Sequence, residues 1–251
     1  MSKAGCFNIL GVCFDLIGYP SVMQQIFDWK EQELHKIITI TNPHSVILCC
    51  NDEQMQKATN SAALTLPDGI GIILAAKILG YAHHGRVSGP DLMLKCCEKG
   101  IEKNYRHFFY GGAQGIAEKL AERLSDKYPG LQIAGTYSPP FRQLSEQEDA
   151  EIVDLINSAS PDILWVGLGA PKQEKWMSGH VGRIKAAAMI GVGAAFDFHS
   201  GNIKRAPQWL QNCHLEWLHR LLANPMRMWQ RYLVNGPIFL AKVIAQKVFH
   251  F

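Results

Sequence analysis

Short β-rich runs recur along this chain with helix-like segments between most of them, and that alternation limits its fold more than any other feature. The runs are KIITIT (36–41), HFFYGG (107–112), LQIAGTY (131–137), DILWVGLG (162–169) and AAMIGVG (187–193). Segments such as AQGIAEKLAERLSDKY and SEQEDAEIVDLINSA carry apolar residues three and four apart, the spacing of an amphipathic helix. Strands alternating with helices predict an α/β fold, a Rossmann-like parallel sheet. YSPPFRQLSEQED is the clearest loop in the body, and its Ser145 and Glu148 have the spacing of a capping box.

After FDFHSGNIKRAP the alternation stops. QWLQNCHLEWLHRLLANP and IFLAKVIAQKVFHF both read as amphipathic helices, with Lys242, Gln246 and His250 on one stripe of the second. A boundary near residue 200 follows, with an α/β core over 1–200 and a C-terminal helical appendage over 201–251. The appendage is also electrically distinct. It holds seven Lys or Arg against the single acid Glu216, a net +6, whereas residues 1–200 are net −3. With three of the six tryptophans, it suits an anionic membrane surface, polyphosphate or nucleic acid.

The length, 251 residues with 47% hydrophobic content, is enough to bury a sizeable core. The early patch CFNILGVCF is interrupted by Asn8 and followed by Asp15, a poor match to a signal peptide. The longest apolar stretch, AAAMIGVGAAF, falls well short of the ~20 residues of a membrane helix. A soluble or peripheral cytoplasmic protein is expected. The seven cysteines include two adjacent pairs and no CxxC, and are expected to be reduced thiols, mostly buried.

One carboxylate stands out. LPDGIGIILAAKILG (66–80) sets Asp68 at the mouth of an almost wholly apolar segment that Gly80 would end. As a helix cap it would satisfy backbone N–H groups. A helix so apolar is also expected to be buried, which would place Asp68 where a buried element meets a cleft. Three glycine-rich turns, YGGAQG, GLGAPKQE and GVGAAFD, follow apolar runs. Each fits simple strand-to-helix geometry or a phosphate cradle at a strand end. None is a Walker loop, and the dinucleotide fingerprint is incomplete. No HxxxH or HExxH lies on a credible helix and no Asp-x-Asp is present, so a departing diphosphate would have to be met by Arg, Lys and helix N-termini.

PDGIGI, GRVSGPDL, FYGG, GLGAPKQEKW, GVGAAFDFHSG, KRAP, LEWLHRL and RYL stand in the order and spacing of the WecG/TagA/CpsF glycosyltransferases, glycosyltransferase family 26, which the chain resembles from about Phe7 to Leu233. The resemblance implies transfer of a sugar from a UDP donor to a saccharide on polyprenyl diphosphate. Transfer would proceed with inversion, without a metal ion or other cofactor, at the cytoplasmic face of the membrane. It implies an anionic membrane surface as partner, no nucleic acid, and a possible homo-oligomer. Other readings of the residues are a nucleotide-cofactor oxidoreductase on the same kind of sheet and a catalytically idle membrane-associated binding module.

By the same resemblance Asp68 is the general base. The donor pocket uses Asn42, Arg86 and Gln173, and tail arginines matching Arg220 and Arg227 close over the diphosphate. Where the family often reads RRY this chain reads QRY, so Gln230 replaces a cation and Arg231 would have to serve. Ile40 stands where a threonine is common, between Thr39 and Thr41, and Thr41 is taken as the pocket threonine. Residue by residue, Asn42 also reads as a strand-end turn residue, Arg86 as a surface cation, and Gln173 as a first-turn helix residue. At Asp68 a helix N-terminus would favour the ionised form and apolar burial would oppose it.

Overall fold

The computed structural model describes residues 6–82 and 85–249. The chain opens with an antiparallel hairpin, β1 (Phe7–Ile9) and β2 (Val12–Phe14), then α1 (Tyr19–Glu31), β3 (Lys36–Thr41), α2 (Pro43–Asn51), α3 (Glu53–Ser61), β4 (Leu64–Pro67) and α4 (Ile70–Leu79). It continues through α5 (Gly89–Gly100), β5 (Arg106–Gly111), α6 (Ile116–Lys127), β6 (Gln132–Tyr137), α7 (Glu146–Ser158), β7 (Ile163–Gly167), α8 (Lys172–Gly179), β8 (Ala188–Gly191) and α9 (Ala195–His199). The C-terminal segment carries α10 (Gln208–Asn212), α11 (Glu216–Ala223), α12 (Pro225–Trp229), a π-helical turn (Gln230–Val234) and α13 (Asn235–Phe249).

Six strands form one parallel sheet in the order β4-β3-β8-β7-β5-β6, as the alternation predicted. Successive residues of a strand serve opposite faces. Ile38, Ile190, Phe109 and Trp165 pack with α1, α5 and α6 on one side. Their neighbours Ile37, Met189, Phe108 and Leu164 pack with α7 and α8 on the other. The edge strand β4 is guarded, since Asp15 donates its N–H to Thr65 O and accepts from Thr65 N at 2.7 Å. Ser145 and Glu148 do form the capping box of α7.

Several expectations are corrected. Asp68 does not cap α4. The cap position is Gly69, at φ +85°, with no side-chain cap bond, while the Asp68 N–H bonds Thr41 O and so prolongs the β3–β4 pairing by one residue. Nor is α4 buried all round, for Ile70 and Leu74 are 40% and 42% exposed while Ile72, Ile73, Ala75 and Ala76 face inward. The helix read through QWLQNCHLEWLHRLLANP breaks at His214, whose φ is +59°, and becomes α10 and α11. Cys6 and Cys13 are joined as a disulfide, because the hairpin turns the chain back and sets their Cα atoms 5.6 Å apart. Cys49, Cys96 and Cys97 are buried thiols, and burial pushes Cys96 up to about 12, well away from the reactive thiolate form.

The tail folds back on the body. Phe239 and Val243 of α13 are buried in a cluster with the hairpin, α2 and α4. Gln246, on the predicted polar stripe, faces the body, donating to Asn8 O and accepting from Leu10 N. His250, read on the same stripe, lies outside the described residues. Ile238 and Ile244 of α13 are exposed.

Candidate active site

In an open parallel sheet the carboxyl ends of the strands leave a crevice for ligand, and here they open into a cleft of about 1360 Å³. The glycine-rich turns lie at this end and are needed for close approach. A Cβ on Gly167 would sit 2.6 Å from the Phe196 ring, and Gly111, at φ +130°, would press its own against Gly167 backbone at 2.6 Å. Strand-end packing therefore fixes these glycines, and the turns they form also line the cleft.

Asp68 lines the cleft just beyond the end of β4. Burial pushes its pKa above the ordinary carboxylate range. Arg86 opposes that shift, Glu216 adds to it, and Arg231 and Arg220 oppose it. The tension left open by the sequence is thus resolved in favour of burial. Thr41 does not line the cleft. Its side chain is buried and its carbonyl takes the Asp68 N–H at 3.0 Å, so it holds Asp68 from behind.

Asn42 and Gln173 line the same cleft, and the structural roles read for them are present as well. Asn42 caps α2, its Oδ1 accepting from Ser45 N at 3.2 Å. Gln173, in the first turn of α8, accepts from Gly169 N at 3.2 Å and donates to Glu174 Oε1 at 2.9 Å, which fixes its amide. Arg86 is no surface cation, since its side chain is 17% exposed and lies 3.9 Å from Glu216 Oε2.

The appendage brings Arg220, Arg227 and Arg231 into the lining of the same cleft. Burial lowers the pKa of Arg231; Tyr232 and Asp68 oppose that shift, and Arg220 and Arg227 add to it. Arg220 stacks over Phe198 at 5.3 Å and Arg231 over Tyr232 at 5.7 Å. Three cations gathered beside a cleft repel one another unless an anion is shared among them. The arrangement suits a diphosphate.

A model of the glycosyl transferase WecG/TagA/CpsF family matches residues 7–251. The chain belongs to this family. It is 35% identical over 205 residues to the N-acetylglucosaminyldiphosphoundecaprenol N-acetyl-beta-D-mannosaminyltransferase of Bacillus spizizenii, covering 82% of this chain and 77% of that one. The enzyme of the same name from Staphylococcus aureus is 28% identical over 250 residues, covering 98% and 95%.

As a WecG/TagA/CpsF glycosyltransferase, the chain has further cleft residues that sequence reading missed. His44, in the first turn of α2, meets Asn235 of α13, with Asn235 Nδ2 2.7 Å from His44 Nδ1. An amide nitrogen only donates, so this imidazole carries its proton on Nε2. Burial lowers its pKa to about 4, with Arg231 adding to the shift, so it is neutral. Glu216 of α11 also lines the cleft, and its signal was present in the sequence as the lone acid of a cationic tail. Among the described residues no three His, Cys, Asp or Glu side chains gather to hold a metal ion, and no helix is long and apolar enough to cross a membrane.

Proposed function

We propose that this glycosyltransferase moves a sugar from a UDP donor, with inversion and without a metal ion, to a saccharide carried on polyprenyl diphosphate at the inner face of the membrane. The observation that carries the reading is one carboxylate, Asp68, sharing a cleft with Arg220, Arg227 and Arg231. The acceptor hydroxyl attacks the anomeric carbon opposite the diphosphate, Asp68 takes its proton, and the anomeric C–O bond to UDP breaks. A base whose pKa is raised toward the working pH abstracts that proton more effectively. The arginines meet the charge that grows on the departing diphosphate. The relatives named above transfer N-acetylmannosamine to a diphosphoundecaprenol-linked N-acetylglucosamine, and the pair UDP-N-acetylmannosamine and lipid-linked N-acetylglucosamine is the first to test.

Membrane contact is assigned to the tail. Leu222, Met226, Leu233 and Ile244 are exposed there, 74%, 85%, 57% and 53% respectively, among cations that attract anionic lipid. A screen of UDP-sugars with a lipid-linked acceptor, following UDP release, tests the reading. Activity that persists in EDTA is expected. Activity that vanishes in EDTA and returns with magnesium or manganese would overturn the metal-independent mechanism.

A further inference from the structure

Glu216 is the one acid among the seven Lys and Arg of residues 201–251, and α11 delivers it into the cleft rather than to solvent. Its Oε2 lies 3.4 Å from Arg205 Nη2 and 3.9 Å from Arg86 Nη2. Arg205 is forked onto Asp91, at 2.5 and 3.1 Å. Asp91 in turn accepts from Ser88 Oγ at 2.6 Å at the head of α5. All of these charged side chains are largely withdrawn from water, at 13–30% exposed, where ion pairs are costly to break. Against the pull of burial, the bonds from Arg205 and Ser88 hold Asp91 below its ordinary pKa. The chain of contacts thus runs from α5, through Arg205 and Glu216, to Arg86, the cation that acts most strongly on Asp68.

We propose that Glu216 is a positioning residue that holds Arg86 away from a direct pair with Asp68 and, through Arg205 and Asp91, fixes α11 over the cleft. The proposal rests on the reading of Asp68 as the base. Arg86 lies 3.9 Å from Glu216 and is the cation that acts most strongly on Asp68, and with Glu216 gone it is free to close on Asp68. A carboxylate clamped by guanidinium in a low-dielectric cleft is a weaker base. Among the described residues, the charged groups that act most strongly on Asp68 are Arg86, Glu216, Arg231 and Arg220, and the Tyr19 hydroxyl feels its charge in turn. Glu216 is the anion among them that touches Arg86, so its neutralisation acts on Asp68 twice, by removing a like charge and by releasing a cation.

The test is the pH dependence of kcat/KM for the full-length protein, followed by UDP release. Glu216→Gln is expected to lower the plateau by at least ~10-fold, the scale of a misplaced reacting group, and to move the acid limb to lower pH, with Tm near wild type. Arg205→Lys keeps the charge but loses the fork and is expected to shift both quantities the same way by less. It carries the test if Glu216→Gln folds poorly. A lowered Tm with the acid limb unmoved in both variants would make Glu216 merely structural and overturn the proposal. Asp68→Asn separates the two readings. If it is nearly inactive while Glu216→Gln leaves the limb in place, the base stands and the positioning role falls. If Asp68→Asn turns over normally, the base itself is refuted, and the Glu216 proposal with it.

Discussion

At Asp68, the residue that follows decides what the carboxylate does. Gly69, at φ +85°, takes the cap position and turns the chain, so the Asp68 side chain is not spent on the helix and is left to the cleft. Its backbone is held by Thr41 O, and burial holds its carboxyl above the ordinary range against Arg86. The sign of the pH effect follows. A base must be ionised, so kcat/KM is expected to fall as pH drops through a pKa lying above the ~4 of an unperturbed carboxylate. A pH–rate profile by UDP release checks this, and an acid limb at or below the unperturbed value would contradict the burial argument. Asp68, Arg86 and Gln173 were legible in the sequence because each sits in a compact motif block, and Asn42 because it directly follows the first buried strand of the sheet. His44 and Asn235 were not, because they lie 191 residues apart and meet only when α13 folds onto α2.

At the scale of elements, five of the six strands of the parallel sheet were readable because such strands are rich in Val, Ile and aromatic residues. Strand β4 was not, since LTLP ends in proline, and the hairpin read only as an apolar patch. The tail was legible as helical and cationic, but its mode of packing was hidden. α13 buries Phe239 and Val243 against the body, so deleting the tail would also open a core cluster. Point substitutions separate its roles more cleanly. Arg220→Ala and Arg227→Ala are expected to cut turnover even with a soluble acceptor analogue, where anchoring is irrelevant. Leu233→Glu and Ile244→Glu, at exposed positions, are expected to weaken binding to anionic vesicles roughly tenfold or more, on the scale of one buried aliphatic side chain, while soluble-acceptor turnover and Tm hold. Arginine variants as active as wild type on the soluble acceptor would remove the tail from catalysis.

The molecule as a whole buries some polar groups in their neutral form, and these set how it responds to acid. His107 is 0% exposed, accepts from Trp165 Nε1 at 3.0 Å, and is held by burial at a pKa of about 4. Between ~6.5 and ~4 the unfolded chain binds a proton that the folded one refuses, so this group makes stability fall as pH falls, with a slope of up to ~1.4 kcal/mol per pH unit. Denaturation of His107→Gln, whose carboxamide oxygen can still accept from Trp165, is expected to show a shallower loss over that window, and an unchanged slope would contradict the assignment. The central claim joins the sheet, the carboxylate at its open end and the arginines of the tail into one transferase. Its most direct test is disaccharide–lipid formation from UDP-N-acetylmannosamine and lipid-linked N-acetylglucosamine by wild type and Asp68→Asn, with the thermal stability and UDP affinity of both recorded. The account predicts product from wild type and a loss of at least ~100-fold in the variant, the low end for a general base, with folding and UDP binding little changed. Near-normal turnover by Asp68→Asn would contradict it.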